Sequence, residues 1–342
     1  MKLLFDIETD DLKATRIWCI VCKDLETNKI YKFGPNELYK GVELLESATT
    51  IVGHNIIGFD IPIINKLLDC NLYQKKIVDT LVLSRLFNPV RDGGHSLDSW
   101  GFRLKFPKID FQEFQNYSSE MLDYCVNDVE LNARVYKHLL VEGRDFSQES
   151  IDLEHDVFKI IKSQEDAGFL LNTKDANILV ATLNGKIKTI EDEVKKVFKP
   201  RLVDVKTVTP YIRKDGQLSK RGLSDEEYKK CLNTKNYKPF MRQSLQEFNL
   251  GSRKQIGEYL IDFGWKPAKF TPTGQPIVDE KTLSTITNIP ESKLICEYLL
   301  LQKRVAQINS WIDAVGEDGR VHGFVIPNGT ITGRMTHRNP NM

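Results

Sequence analysis

Apolar residues crowd the start of the chain in short runs, and carboxylates interrupt those runs. Leu3, Leu4, Phe5 and Ile7 enclose Asp6 and Glu8 and predict a buried strand over Met1–Thr9. Ile17–Asp24 and Lys29–Phe33 read as further strands, with turn chemistry at Glu26-Thr27-Asn28 between them. The period becomes helical over Glu37–Glu46, and Thr50–Gly53 is a short β-branched strand that delivers His54 and Asn55 at its end. Ile61–Leu68 is helical, Ile77–Val78 a brief strand, Thr80–Phe87 a helix, and Ser96–Phe102 a short helix after a Gly93-Gly94 loop. Ser119–Leu140 is the clearest helix, with Ser118 or Ser119 as its cap and apolar positions at 121, 122, 125, 126 and 129. Strands mixed with helices in this order predict an α/β fold, a mixed sheet with helices on its faces.

The pattern shifts after residue 145. Residues 150–198 predict two helices split by Gly168-Phe169 and a strand-like Leu170-Leu171. Residues 199–249, punctuated by Pro200, Pro210, Gly216, Gly222 and Pro239, read as irregular. Helical patterns return at Ser252–Phe263, capped by Ser252, and at Ser292–Val315, and Val321–Ile326 reads as a strand. In the last helix Leu294, Tyr298, Leu301, Val305 and Ile308 share a face, leaving Lys303 and Arg304 either for phosphate contact or as a solvated face. The chain thus divides into an α/β part over 1–145, a mainly helical part over 146–315 containing the irregular 199–249, and a C-terminal part over 316–342.

A length of 342 residues fits two or three domains, and a net charge of +1 points to no class of partner. The local balance says more. Residues 1–140 carry 17 Lys+Arg against 20 Asp+Glu, whereas 199–242 carry 12 against 5. An acidic half followed by a basic segment suits a protein that holds cations and draws a polyanion alongside them. No run approaches a membrane span, acidic residues begin at Asp6, and the six cysteines lack a framework spacing, so a reducing cytoplasm is expected. Cys19 and Cys22 have the spacing of a zinc pair. Strand alternation sends them to opposite faces and no second pair follows, which favours a buried strand.

The chemistry lies in three short stretches. Asp6 and Glu8 are i and i+2 on a strand and share a face; Tyr124 and Asp128 are i and i+4 on a helix and share a face. Asp60 opens a helix after a strand, where ligands gather in α/β sheets. Each pair alone is weak. Together they describe buried carboxylates that would repel one another, a problem that divalent cations resolve. Asp79, a fifth acid, reads as the cap of the helix starting at Thr80 rather than as a ligand.

These segments, Asp-x-Glu, Asn55-x4-Asp60 and Tyr124-x3-Asp128, resemble the three motifs of the proofreading 3′→5′ exonucleases of ribonuclease H-like fold, in the subclass with tyrosine in the third motif. The second motif has one residue more between Asn and Asp than its commoner form. Together with Ile77–Leu86 and Leu97–Leu104, it is similar to the family A DNA polymerases of the T-seven phage type. The resemblance continues through Gly264-Trp265-Lys266-Pro267, Glu297–Arg304 and Asn328–His337, and is weakest over 199–249.

What it implies is an exonuclease domain over 1–145, a thumb-like region over 146–315 and the start of a polymerase palm from 316 that stops at Met342. It implies two Mg²⁺ or Mn²⁺ ions, roughly 3.5–4 Å apart, on Asp6, Glu8, Asp60 and Asp128. Tyr124 would orient the attacking water. The DNA would meet Thr9, Leu12, Asn55 and Arg334, with His54 either on the substrate or in a structural hydrogen bond, and Lys303 and Arg304 as above. Implied partners are DNA, as a frayed or single-stranded 3′ end and as primer-template, and a palm and fingers polypeptide if that half is separately encoded, the alternative being a truncated chain. In the phage type a processivity factor binds where 199–242 falls, but this segment matches poorly, and a flexible loop on duplex DNA or a solvated loop is expected instead. A binding module for another polymerase half and a free-standing ribonuclease or repair exonuclease are the alternative functions.

Overall fold

The computed structural model describes residues 1–340; the end of the expected palm segment, Asn341 and Met342, lies outside them. In β1 (Lys2–Thr9) alternation turns Leu3, Phe5 and Ile7 to one side of the sheet and Leu4, Asp6 and Glu8 to the other. β2 (Ile17–Asp24), β3 (Ile30–Phe33), α1 (Leu38–Ser47), β4 (Thr50–Gly53), α2 (Asp60–Leu67), β5 (Lys76–Asp79) and α3 (Thr80–Phe87) follow. Then come α4 (Leu97–Leu104), α5 (Ser119–Glu142), α6 (Gln148–Ala167) and β6 (Phe169–Leu170).

The sheet order is β3-β2-β1-β4-β5, with β1 antiparallel to β2 and parallel to β4. One core cluster joins the Leu3 face to Val42 and Leu45 of α1 and Ile61 and Ile64 of α2. On the Leu4 face lie Trp100 of α4 and Cys125, Val129 and Val135 of α5. Cys19 lies in the second cluster and Cys22 in the first, on opposite faces of β2. α5 begins at the Ser118 cap, whose side chain accepts the Met121 N–H.

The chain forms two compact units, 1–171 with 314–342, and 172–313, so the expected division at 145 falls inside the first unit, whereas that at 315 lies two residues from the observed one. α6 belongs with the sheet, because Phe158 enters the first core cluster and His155 bonds to the end of β5. The expected strand Val321–Ile326 is broken at His322-Gly323, because its halves have different partners. β9 (Arg320–Val321) pairs with β6, and β10 (Phe324–Ile326) with β11 (Thr336–Arg338).

In the second unit, α7 (Thr173–Val197) and α11 (Glu291–Asp313) share a core with α9 (Arg253–Asp262) and α10 (Glu280–Leu283), built on Val194, Ile256, Leu283 and Ile295. Segment 199–249 is not irregular. β7 (Arg201–Val208) and β8 (Phe240–Gln246) form an antiparallel ribbon with a register shift at Asp204/Lys206, and α8 (Asp225–Thr234) lies between them in sequence. Both strands are largely exposed; β7 alternates Val203, Val205 and Thr207 with Asp204 and Lys206, but β8 shows no apolar alternation to pair with it. Order comes from cross-strand pairing and from Arg242 of β8, whose guanidinium binds Glu227 in the capping box of α8.

Candidate metal centre

Strand geometry aims Asp6 and Glu8 at α5, and helix geometry aims Tyr124 and Asp128 back. Asp6, Glu8, Asp60, Tyr124 and Asp128 all line one open cleft of about 700 Å³. Asp60 enters from the start of α2, and its Oδ1 accepts the Ile7 N–H at 3.2 Å, which ties it to β1 between the two β1 carboxylates. The path to Asp60 is set by Gly53: a Cβ there would stand 2.1 Å from Ile56 Cγ2 and 3.0 Å from the Phe5 carbonyl.

Asp79 holds the same loop. Its carboxylate accepts the N–H groups of Asn55 (2.8 Å), Ile57 (3.0 Å) and, as helix cap, Leu81 (2.9 Å). With its oxygens committed to the backbone, it is a loop staple rather than a ligand. Asn55 takes a positive φ of 63°, a conformation the asparagine side chain tolerates. His54 places Nδ1 2.9 Å from Thr80 Oγ1, the structural hydrogen bond. Burial, with Arg85 and Lys108 nearby, lowers its pKa to about 3, so the ring is neutral.

The carboxylates carry more charge than the protein neutralises. Burial first, then Asp60, Glu8 and Asp128, push Asp6 far above the usual carboxylate range. Burial, followed by Cys19 and Asp128, lifts Glu8 to about 9. Asp60 rises to about 7 through burial, opposed by backbone hydrogen bonds. Asp128 is raised by burial and held back by Lys108, while its Oδ1 is buried with no hydrogen-bond partner. Hard oxygen donors, excess negative charge and an unpartnered carboxylate oxygen all fit divalent cations such as Mg²⁺ or Mn²⁺.

Two residues of the site were not anticipated from the sequence. Cys125 Sγ stands 3.7 Å from Asp6 Oδ2, and donor atoms of Asp6, Glu8 and Cys125 lie within 4.8 Å of one another. Burial drives the Cys125 thiol pKa far up, so it packs as a protonated thiol against Asp6. Its i,i+1 position beside Tyr124 was the available signal, but it reads equally as core. Lys108 Nζ lies 2.6 Å from Asp128 Oδ2 and 4.7 Å from the centre of the Tyr124 ring. Nothing local in the sequence marks it.

The expected DNA contacts divide. Thr9, Leu12, His54 and Asn55 line the cleft, with Leu12 85% exposed and free to meet a ligand. Thr9 is buried and its hydroxyl donates to the Asp11 carbonyl. Lys303 and Arg304 are exposed on α11 in the second unit, and Arg334 is exposed between β10 and β11. None of these three is among the cleft residues. In α11, Tyr298 and Ile308 are buried, and Leu294, Leu301 and Val305 pack partly buried against the core that contains Tyr298.

Known proteins resemble this chain over nearly all of it. Residues 223–342 match DNA polymerase family A, and the segments from Gly264 onward named above fall inside that match. The DNA-directed DNA polymerases of Enterobacteria phage T3 and Escherichia phage T7 are each 28% identical to it over 436 aligned residues, covering 99% of this chain. The chain spans 62% of the length of these curated relatives. Among solved structures, the POL domain of Pol1 from M. smegmatis, in complex with DNA primer-template and dNTP, superimposes with a TM-score of 0.65 at 14% identity, covering 99% of this chain and 51% of that one. The α/β fold with its mixed sheet is therefore one also found in a polymerase structure, and the chain is similar in sequence to phage DNA polymerases, with a family A match in its C-terminal third.

Proposed function

We propose that the cleft is a cation-dependent 3′→5′ DNA exonuclease site that removes nucleotides from a frayed or single-stranded 3′ end, serving as the proofreading part of a phage-type family A DNA polymerase. The observation that carries this reading is the convergence of Asp6, Glu8, Asp60, Asp128 and Tyr124, from β1, α2 and α5, on one open cleft. Similarity to phage DNA polymerases supplies the substrate class.

Asp6, Glu8, Asp60 and Asp128 would hold two Mg²⁺ or Mn²⁺ ions, which when bound supply a water nucleophile of lowered pKa and neutralise charge on the leaving oxygen. The Tyr124 hydroxyl, on the cleft wall one helical turn from Asp128, orients the attacking water. The exposed Leu12 side chain offers an apolar surface to the terminal base. Asp79 and Thr80 act earlier in the chain of causes: they shape the loop that brings Asp60 and Asn55 to the cleft.

The test is digestion of 5′-labelled single-stranded DNA by the full chain in Mg²⁺. Stepwise shortening from the 3′ end is expected, and Asp6→Ala/Glu8→Ala should leave less than about a thousandth of it. Undiminished degradation by that variant, purified free of contaminating nuclease, would remove the assignment.

A further inference from the structure

Among the described residues lining the cleft, Lys108 alone carries a permanent positive charge. It sits on a built wall. Ile109 N–H donates to Asn127 Oδ1 at 3.3 Å, the Phe114 carbonyl accepts the Trp18 indole N–H at 2.9 Å, and the Phe111 and Phe114 rings lie 5.6 and 6.0 Å from the Tyr124 ring. The lysine is therefore aimed at α5 by its surroundings, and its side chain is only 23% exposed.

Its ammonium touches both groups that α5 brings to the cleft. Nζ is 2.6 Å from Asp128 Oδ2 and 4.7 Å from the centre of the Tyr124 ring. Asp128 thus has one oxygen engaged by an ammonium and the other buried without a partner. A cation ligating Asp128 through Oδ2 needs the space that Nζ occupies, and one ligating it through Oδ1 meets the lysine charge at close range.

Resting on the proposed cation site, we infer that Lys108 is a tethered counter-cation that competes with a divalent ion for Asp128. Before the ion arrives, it holds the Tyr124–Asp128 side of the cleft in place. When the ion binds, the flexible four-carbon stem lets the ammonium leave Asp128 without moving the wall. One consequence follows: a divalent ion that uses Asp128 binds more weakly than it would without the lysine, and Lys108 is a positioning residue that sets this affinity.

The experiment measures Mn²⁺ binding to the full chain without DNA at pH 8, by the electron paramagnetic resonance of free Mn²⁺. Lys108→Met should tighten Mn²⁺ binding on the order of tenfold, since it removes a positive charge a few ångströms from where a dication would meet Asp128. Lys108→Gln, a polar replacement, should do the same if methionine disturbs the fold, whereas Lys108→Arg should stay near wild type. Asp128→Asn should cancel the gain of Lys108→Met. Equal or weaker binding in both Lys108→Met and Lys108→Gln, with wild-type binding abolished in Asp6→Ala/Glu8→Ala, overturns the competition while leaving the cation site standing. Mn²⁺ binding that Asp6→Ala/Glu8→Ala leaves unchanged overturns both.

Discussion

The Asp79 carboxylate accepts the N–H of Asn55 at 2.8 Å and so sets the course of the chain as it leaves β4. The same carboxylate takes the Ile57 N–H, and the Asp79 N–H itself donates to His155 Nε2 at 2.8 Å. His155 Nδ1 lies 2.7 Å from the Ile151 carbonyl, so the proton resides on Nδ1. An acid outside the carboxylate cluster thereby positions one inside it, Asp60, from a buried relay anchored on α6.

Asp79→Ala should therefore lose stability as well as activity. Three backbone N–H groups would be deprived of a charged acceptor, at a cost of about 3–5 kcal/mol. Chemical denaturation measures it. A change below about 1 kcal/mol would mean that the loop keeps its path without the staple.

Stability without divalent cations should fall as pH rises. In the folded chain Asp60 titrates near 7 and Glu8 near 9, whereas unfolded carboxylates titrate near 4. The folded state then holds more protons than the unfolded state between about pH 4 and pH 9, and linkage makes its stability drop across that window. Melting in EDTA should show a lower Tm at pH 9 than at pH 6, and Mg²⁺ should raise Tm more at pH 9. Glu8→Gln should blunt the decline. A Tm in EDTA that climbs from pH 6 to pH 9 contradicts the charge balance of the cleft.

Tyr124→Phe should be milder than Asp128→Ala. Loss of one water-orienting hydroxyl costs on the order of 10–100-fold in rate, while loss of a ligand removes cation binding as well. Single-turnover rates together with Mn²⁺ titrations separate the two. Equal rate defects with metal binding intact in both variants would contradict this division of labour.

The ribbon and α8 should strengthen DNA binding without sequence preference. Arg221, Lys229 and Lys230 are exposed, whereas Lys220 is already paired with Asp225. Reversing the three exposed charges to Glu should flatten the log–log salt dependence of binding by roughly 0.9 for each phosphate no longer neutralised. Fluorescence anisotropy with duplex and single-stranded DNA reads this directly. An unchanged slope assigns these charges to solvent.

The sequence by itself determined the local geometry. Alternation in β1 put Asp6 and Glu8 on one face, helical period put Tyr124 and Asp128 on another, and Ser118 and Ser252 marked the starts of α5 and α9. These features depend on residues a few positions apart, so neighbouring side chains encode them. The tertiary structure decided the rest. Lys108 reaches Asp128 and His155 reaches Asp79 only after helices and sheet have packed, and no periodicity records either pairing, the second across 76 residues. Packing likewise joined α6 to the sheet through Phe158. The β7–β8 ribbon is hidden in the sequence because β8 has no apolar alternation to answer Val203, Val205 and Thr207 of β7: with both strands largely exposed, cross-strand hydrogen bonding rather than a shared buried face defines the element.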